Sequence, residues 1–147
     1  MREILFRGKK FENNEIGEWV EGYYIRKQDP FIKDLDYHFI AKQNKDRHGI
    51  LLEVTDWYRV YPGTVGQYTG LTDKNGKKIF EGDVVKIGSE IIEWKCYHEV
   101  VFEEGQWFYL HKTPFAKSYM GAWGNSIVEV IGNIYDNPEL LGGDYNG

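Results

Sequence analysis

The chain has 147 residues, of which 16% are aromatic and 17 are glycine, and its 23 acidic and 18 basic side chains leave a net charge of −5. This length suits one domain or two small lobes, either of which can bury a core. The acidic balance argues against a protein that coats duplex DNA, because phosphate neutralisation needs a basic excess. A single cysteine forms no internal disulfide, which fits a reducing cytoplasm, and we expect no signal peptide and no membrane segment.

Residues 1–61 predict an N-terminal β lobe. Alternating apolar, aromatic and β-branched positions indicate strands at 2–7, 18–26, 36–42 and 50–61. The polar stretch 8–17 between the first two reads as a turn, and Gly22 inside the second strand indicates a bulge or a close backbone contact. Pro62 and Gly63 close the fourth strand and mark the junction between two lobes.

Residues 62–141 predict a second lobe. It opens with a strand at 65–68, and turns follow at Asp73–Gly76 and at Gly82–Asp83, where Asn-Gly and Gly supply positive φ. Five short strands are then predicted at 84–87, 90–96, 99–103, 106–111 and 126–135. With an irregular segment at 112–125 before the last strand, this pattern resembles an SH3-like β-barrel.

The end of the chain predicts the only helix. Asn137-Pro138-Glu139 has a cap residue, proline at the first helical position and then an acid. We expect one helical turn, followed by a mobile tail at 142–147. The fold class is therefore mainly β with minor α.

Two stretches resemble a known family. The run from Gly66 to Val85 (GQYTGLTDKNGKKIFEGDVV) and the run from Val130 to Leu141 (VIGNIYDNPELL) are similar to the YopX family of phage and prophage proteins, and the opening Arg2–Arg7 matches it as well. The resemblance implies a phage or prophage context in Gram-positive bacteria and a mostly β fold. It implies no activity, and it supplies no catalytic residues.

Two small constellations are candidates for chemistry, and the ordinary interpretation is stronger for both. Asp34, Asp36 and His38 share a strand face and suit a divalent cation, but the sequence favours the ordinary interpretation, a solvated face, because their spacing matches no metal motif. Cys96 and His98, beside Trp94, suit a nucleophile with its base or two metal ligands, although a lone cysteine is usually a small buried hydrophobe. The glycines spell no phosphate-binding loop. We predict no catalytic, cofactor-binding or metal site.

The aromatic residues give the strongest candidate surface. Alternation along Trp107, Phe108 and Tyr109 predicts that this strand fills the core with one of its two faces. The loop aromatics that follow are predicted to form a partner-binding surface: Phe115, Tyr119 and Trp123. Lysines between these rings also suit single-stranded nucleic acid.

The sequence therefore predicts a cytoplasmic, phage-encoded accessory protein that has no enzymatic activity. It would bind another protein, of host or phage origin, and we expect a small homo-oligomer because aromatic-rich strand edges favour self-association. A nucleic-acid-associated factor that uses the barrel aromatics is one alternative. A small enzyme of unrecognised type is the other.

Overall fold

The structure is a computed structural model that describes residues 3–42, 44–45, 48, 51–53, 56–88, 96–112, 115–120 and 125–142. These parts of the chain form thirteen strands, one short α-helix, α1 (Glu139–Gly142), and two 3-10 helices, Pro62–Thr64 and Asn125–Ile127. The strands are β1 (Phe6–Glu12), β2 (Glu15–Gln28), β3 (Asp36–Ala41), β4 (Asn44–Lys45), β5 (Leu51–Glu53), β6 (Trp57–Arg59), β7 (Gly66–Thr72), β8 (Lys78–Phe80), β9 (Asp83–Ile87), β10 (Cys96–Glu103), β11 (Gln106–Lys112), β12 (Phe115–Tyr119) and β13 (Val128–Asn133). The prediction of a mainly β fold is confirmed. Among the described residues, no helix has the length and apolar character needed to cross a membrane.

The chain divides into two compact units, residues 1–67 and 68–147. In the first unit the strands lie in the order β6-β3-β2-β1, and the start of β7 pairs with β1. In the second unit the rest of β7 pairs with β8, and a five-stranded sheet has the order β12-β11-β10-β9-β13. All these pairings are antiparallel. The division of the chain into lobes at residues 1–61 and 62–141 remains a prediction.

The first hairpin corrects two predictions. The strand expected at 2–7 begins at Phe6, and the expected turn at 8–17 is mostly strand, because β1 and β2 pair as far as Glu12 with Glu15. The turn consists of Asn13 and Asn14, with φ of 52° and 61°. Asparagine tolerates this left-handed region, so two residues are enough to reverse the chain.

Two further strands of the first unit differ from the sequence pattern. The single strand expected at 50–61 is divided into β5 and β6. Phe6 and Gly22 form the terminal pair of the β1–β2 ladder, and the register shift of that ladder lies between Lys9 and Phe11. Gly22 therefore does not mark a bulge, and the predicted close backbone contact explains the glycine. A Cβ on Gly22 would lie 2.1 Å from the carbonyl oxygen of Ala41 on β3, so only glycine allows the two backbones to approach this closely.

Each unit has its own core. In the first unit Val20, Ile40 and Val60 are buried, and Phe6, Tyr24, Tyr58 and Val65 pack against them. In the second unit the core takes residues from β8, β9, β10, β11 and β13: Ile79, Val85, Ile87, Val100, Tyr109, Val128 and Val130. Alternate positions of these strands point inward, which is why the sequence pattern has a period of two.

The predicted turns of the second unit are confirmed. The N–H of Gly76 donates to the carbonyl of Asp73 at 3.0 Å, and Gly76 has a φ of 79°. Gly82 has a φ of 86°, and Glu104 with Gly105 forms the two-residue turn between β10 and β11 with φ of 51° and 77°. Helix α1 also follows its predicted start. Residues 143–147 of the expected tail lie outside the described residues.

The barrel prediction is corrected. Within the described residues the five-stranded sheet is open, with β12 and β13 at its edges, and barrel closure is not found. The segment 112–125, expected to be irregular, contains the regular strand β12. Of the strand expected at 90–96, residues 90–95 lie outside the described residues, and Cys96 begins β10.

Candidate functional site

The predicted partner-binding residues fall on and beyond one edge strand. Tyr119 is the last residue of β12 and is 61% exposed. Phe115 is the first residue of that strand, and its backbone pairs with Lys112 of β11. Trp123 lies outside the described residues. Tyr119 was expected in a loop, and the structure places it on a strand instead.

Tyr119 belongs to a small cluster on the outer face of this sheet. Its ring lies 5.0 Å from that of Phe108, its direct partner on β11. The ammonium of Lys117 lies 5.4 Å from the centre of the Phe108 ring and also pairs with the Glu103 carboxylate. Phe108 is half-buried, whereas Tyr109 faces the core and is 2% exposed. Tyr109 belongs to the core and Trp107 packs against it, as the alternation along β11 predicts, whereas Phe108 lies on the other side of the strand, where Leu110 is also buried at 8% exposed.

Among the described residues no further strand pairs with β12, and this open edge has a defined polarity. The N–H of Met120 donates to the carbonyl of Trp107 at 3.3 Å, so residues 120, 118 and 116 direct their backbone groups toward β11. In an antiparallel pair the alternate residues direct theirs away. The backbone groups of Lys117 and Tyr119 therefore face outward, next to the exposed Tyr119 ring. Such an edge can accept an additional strand.

The run Gly66–Val85, which we call the central motif, has a structural role that depends on hydrogen bonds to Asp73. One carboxylate oxygen accepts the N–H groups of Asn75 and Lys77 at 2.8 and 2.9 Å, and the other accepts the N–H of Val130 on β13 at 2.9 Å. Burial acts to raise the pKa of Asp73, but these three donors outweigh it and hold the pKa below its ordinary value. Asp73 thus ties the β7–β8 turn to β13.

The run Val130–Leu141, the C-terminal motif, forms a similar local network of hydrogen bonds. The side-chain oxygen of Asn133 accepts the N–H groups of Tyr135 and Asp136 at 3.0 and 2.9 Å, and its amide donates to the Asp136 carboxylate. A Cβ on Gly132 would lie 2.5 Å from the side-chain oxygen of Asn137 and 2.9 Å from a methyl carbon of Leu140, so a larger residue here would displace those side chains. These polar residues serve the turn before α1.

The carboxylate–histidine candidates are engaged in other contacts. Arg26 donates to the Asp36 carboxylate through Nε at 2.7 Å, and the His38 ring is hydrogen-bonded to the Tyr24 hydroxyl. A cavity of about 350 Å³ beside this pair is lined by Arg26, Gln28, Asp34 and Asp36. Among the described residues, no group of three or more His, Cys, Asp or Glu side chains is placed to hold a metal ion.

The cysteine–histidine candidate contains a buried histidine. His98 is 8% exposed, and its ring lies 5.1 Å from that of His111 and 6.4 Å from that of Tyr109. Trp94 lies outside the described residues, and for Cys96 only the backbone is described. His98 therefore packs among rings of the second unit's core.

Sequence reasoning missed a second aromatic surface, on the first unit. Tyr23 and Trp57 are 37% and 50% exposed and stand on the same outer face of the β2–β3–β6 sheet, together with Arg59. The signal was present as alternation, since the odd-numbered positions of β2 from Trp19 onward place their side chains on this face. Locating the face required the register across three strands, which the pattern of one strand does not contain.

Comparison with known proteins confirms the resemblance in the sequence. Residues 5–142 match the sequence model of a family described as YopX protein. No curated protein matches the chain. Among solved structures, protein EF1440 from Enterococcus faecalis is 22% identical with a TM-score of 0.52, covering 96% of this chain and 99% of that one. Protein yopX from Bacillus subtilis is 19% identical with a TM-score of 0.52, covering 98% and 99%. These likenesses concern the fold alone; because the family match spans nearly the whole chain, the chain belongs to the YopX family.

Proposed function

We propose that the chain is a non-catalytic accessory protein, encoded by a phage or prophage, that acts in the bacterial cytoplasm by binding another protein. The family resemblance supports the phage context, and the single cysteine supports a reducing compartment. The binding surface is the open edge of β12 with the Phe108–Tyr119 ring pair beside it. The occupant is an extended segment of the partner, which adds a strand to β12.

The open edge next to an exposed ring is the observation that carries this proposal. The outward-facing backbone groups of Tyr119 offer hydrogen bonds to an incoming strand, which gives affinity without regard to sequence. The Tyr119 ring, 61% exposed, offers an apolar contact to a side chain of that strand, which gives specificity. The Lys117–Glu103 ion pair on the same face presents one charge of each sign.

Proline substitutions test the edge directly. Lys117→Pro removes a donor that points away from β11, so the fold should persist while strand addition is blocked. Ser118→Pro removes a donor that points toward β11 and should destabilise the sheet. The assay is affinity capture from infected host cells, followed by binding measurements with the purified partner. We expect Lys117→Pro and Tyr119→Ala to lose the partner that the unmodified chain captures.

The matched control is Phe31→Ala, because Phe31 is 94% exposed and lies in the first unit. It should capture the partner as well as the unmodified chain does. Capture that survives both Lys117→Pro and Tyr119→Ala would refute the proposed surface. Light scattering on the same variants identifies a second copy as the occupant if the unmodified chain is oligomeric and Lys117→Pro is monomeric.

A further inference from the structure

The outer face of the first unit's sheet is a separate surface, defined by strand register. Lys27 pairs with Tyr37, Phe39 pairs with Arg59, and Tyr23 and Trp57 both pair with Ala41. Directly paired residues of antiparallel strands place their side chains on the same side. We call this set the aromatic face: Tyr23, Lys27, Tyr37, Phe39, Trp57 and Arg59. It lies opposite the core residues Val20 and Ile40, which occupy the alternate positions.

The aromatic face is open to solvent at its rings and its charges. Trp57 and Tyr23 are 50% and 37% exposed, and Lys27 and Arg59 are exposed as well. Phe39 is half-buried, and its ring meets that of Trp57 edge-on at 6.1 Å. The half-buried Phe39 ring packs against the exposed Trp57 ring and holds it in place on the surface.

Cations stand next to these rings. The Arg59 guanidinium lies 5.3 Å from the centre of the Tyr37 ring and 5.6 Å from that of Phe11. At a neighbouring position of the same face, Arg7 and Lys9 lie 4.5 and 5.4 Å from the Trp19 ring. Rings interleaved with basic groups are the combination that single-stranded nucleic acid requires.

The distribution of charge favours a polyanion on this face. Along the paired parts of β1, β2, β3 and β6, the register places Lys9, Lys27, Arg59 and the buried Arg7 here, against one acidic side chain, Glu21. Beyond these ladders, the Asp29 carboxylate accepts a hydrogen bond from the Tyr37 hydroxyl on this face. Residues 1–67 carry 11 acidic and 11 basic side chains, so the other 12 acidic and 7 basic ones, and the whole net charge of −5, lie in residues 68–147. The second unit repels phosphate, and the basic face of the first unit attracts it.

We propose that the aromatic face binds single-stranded nucleic acid, with bases stacked on Tyr23 and Trp57 and phosphates near Lys27 and Arg59. An antiparallel sheet with exposed rings can stack unpaired bases. Duplex DNA is excluded as the preferred ligand, since its bases are stacked on each other and a flat face cannot enter the major groove.

The test is fluorescence anisotropy of a labelled oligonucleotide of about 20 dT or U residues, titrated with the full chain. Loss of one stacking ring in Trp57→Ala should weaken binding by about 5-fold to 150-fold. With about three phosphate contacts, the affinity for a single strand should fall about 20-fold between roughly 50 and 200 mM salt. Arg59→Ala should reduce the slope of log affinity against log salt by about 0.7.

The matched control is Tyr119→Ala, which removes an exposed ring from the second unit and should leave nucleic-acid binding unchanged. This control also separates the two proposals, because the same variant is expected to lose the protein partner. Circular dichroism of each variant establishes that it is folded. The inference is overturned if the oligonucleotide does not bind at about 50 mM salt, or if it binds equally to Trp57→Ala and to the unmodified chain. Loss of a protein partner in Trp57→Ala without any nucleic-acid binding would assign the face to protein instead.

Discussion

Replacing Asp73 by asparagine tests whether the central motif holds the second unit together. The carboxylate is 4% exposed and accepts three backbone N–H groups. An amide has one oxygen, so Asp73→Asn can keep the two bonds to Asn75 and Lys77 only by turning its NH₂ toward the N–H of Val130. One charged hydrogen bond is then lost, and a buried donor is left without an acceptor.

The expected loss of stability follows from these two effects. A hydrogen bond to a charged group contributes about 1.5–3 kcal/mol, and an unsatisfied buried donor costs about 1–3 kcal/mol. Because the two estimates overlap in part, we expect Asp73→Asn to lower the free energy of unfolding by about 3 kcal/mol. For a chain of this size that corresponds to a fall in Tm of about 6–12 °C. Urea unfolding followed by circular dichroism measures it.

Asp29 provides the matched control. Its carboxylate also accepts two backbone N–H groups, from Phe31 and Ile32 at 2.8 Å, and the Tyr37 hydroxyl at 3.0 Å. It lies nearer to solvent, where water replaces a lost partner, so Asp29→Asn should reduce stability much less. The reasoning is refuted if the two asparagine variants are equally stable, or if Asp73→Asn unfolds at the same urea concentration as the unmodified chain.

Three further predictions concern pH and packing. The pKa of Asp73 is lowered in the folded chain. The stability advantage of the unmodified chain over Asp73→Asn should therefore be full above about pH 5 and should shrink as the pH falls toward the pKa of Asp73 in the folded chain. Urea unfolding at several pH values checks this. Burial raises the pKa of Tyr109 to about 12, so stability should fall as pH rises above about 10, and Tyr109→Phe should reduce this loss in alkaline urea unfolding. Gly22→Ala should prevent the close approach of β2 to β3 and cost about 3 kcal/mol or more, whereas Gly17→Ala, whose Cβ would meet its nearest atoms at 3.7 Å, should be nearly neutral by thermal unfolding.

The sequence predicts the turns of the second unit well because their chemistry is local. Gly76, Gly82 and Gly105 adopt positive φ, which few other residues tolerate, so each marks its turn whatever surrounds it. The start of α1 is predictable for the same reason, since asparagine, proline and an acid act within one turn. Mainly β character follows from alternation, which each strand carries in its own residues.

Features that depend on distant partners are the ones the sequence does not yield. Strand β12 exists because β11 pairs with it, and its short run Ala116–Lys117–Ser118 has no strong alternation of its own. Barrel closure depends on which edges meet, a property of the whole sheet. The candidate surfaces show the same contrast. The sequence identifies Tyr119 as an aromatic residue, but it does not show that Tyr119 lies on an edge strand. The aromatic face needs the register of three strands.

The family motif and the candidate surfaces occupy different residues. The polar atoms of the motif are used inside the second unit: Asp73 binds three backbone donors, and Asn133 holds the turn before α1. Neither side chain is open to a partner, since Asp73 and Asn133 are 4% and 9% exposed. Exposed rings lie outside the motif, at Tyr119 and at Trp57. The binding activities proposed for this chain therefore depend on residues that lie outside the runs Gly66–Val85 and Val130–Leu141.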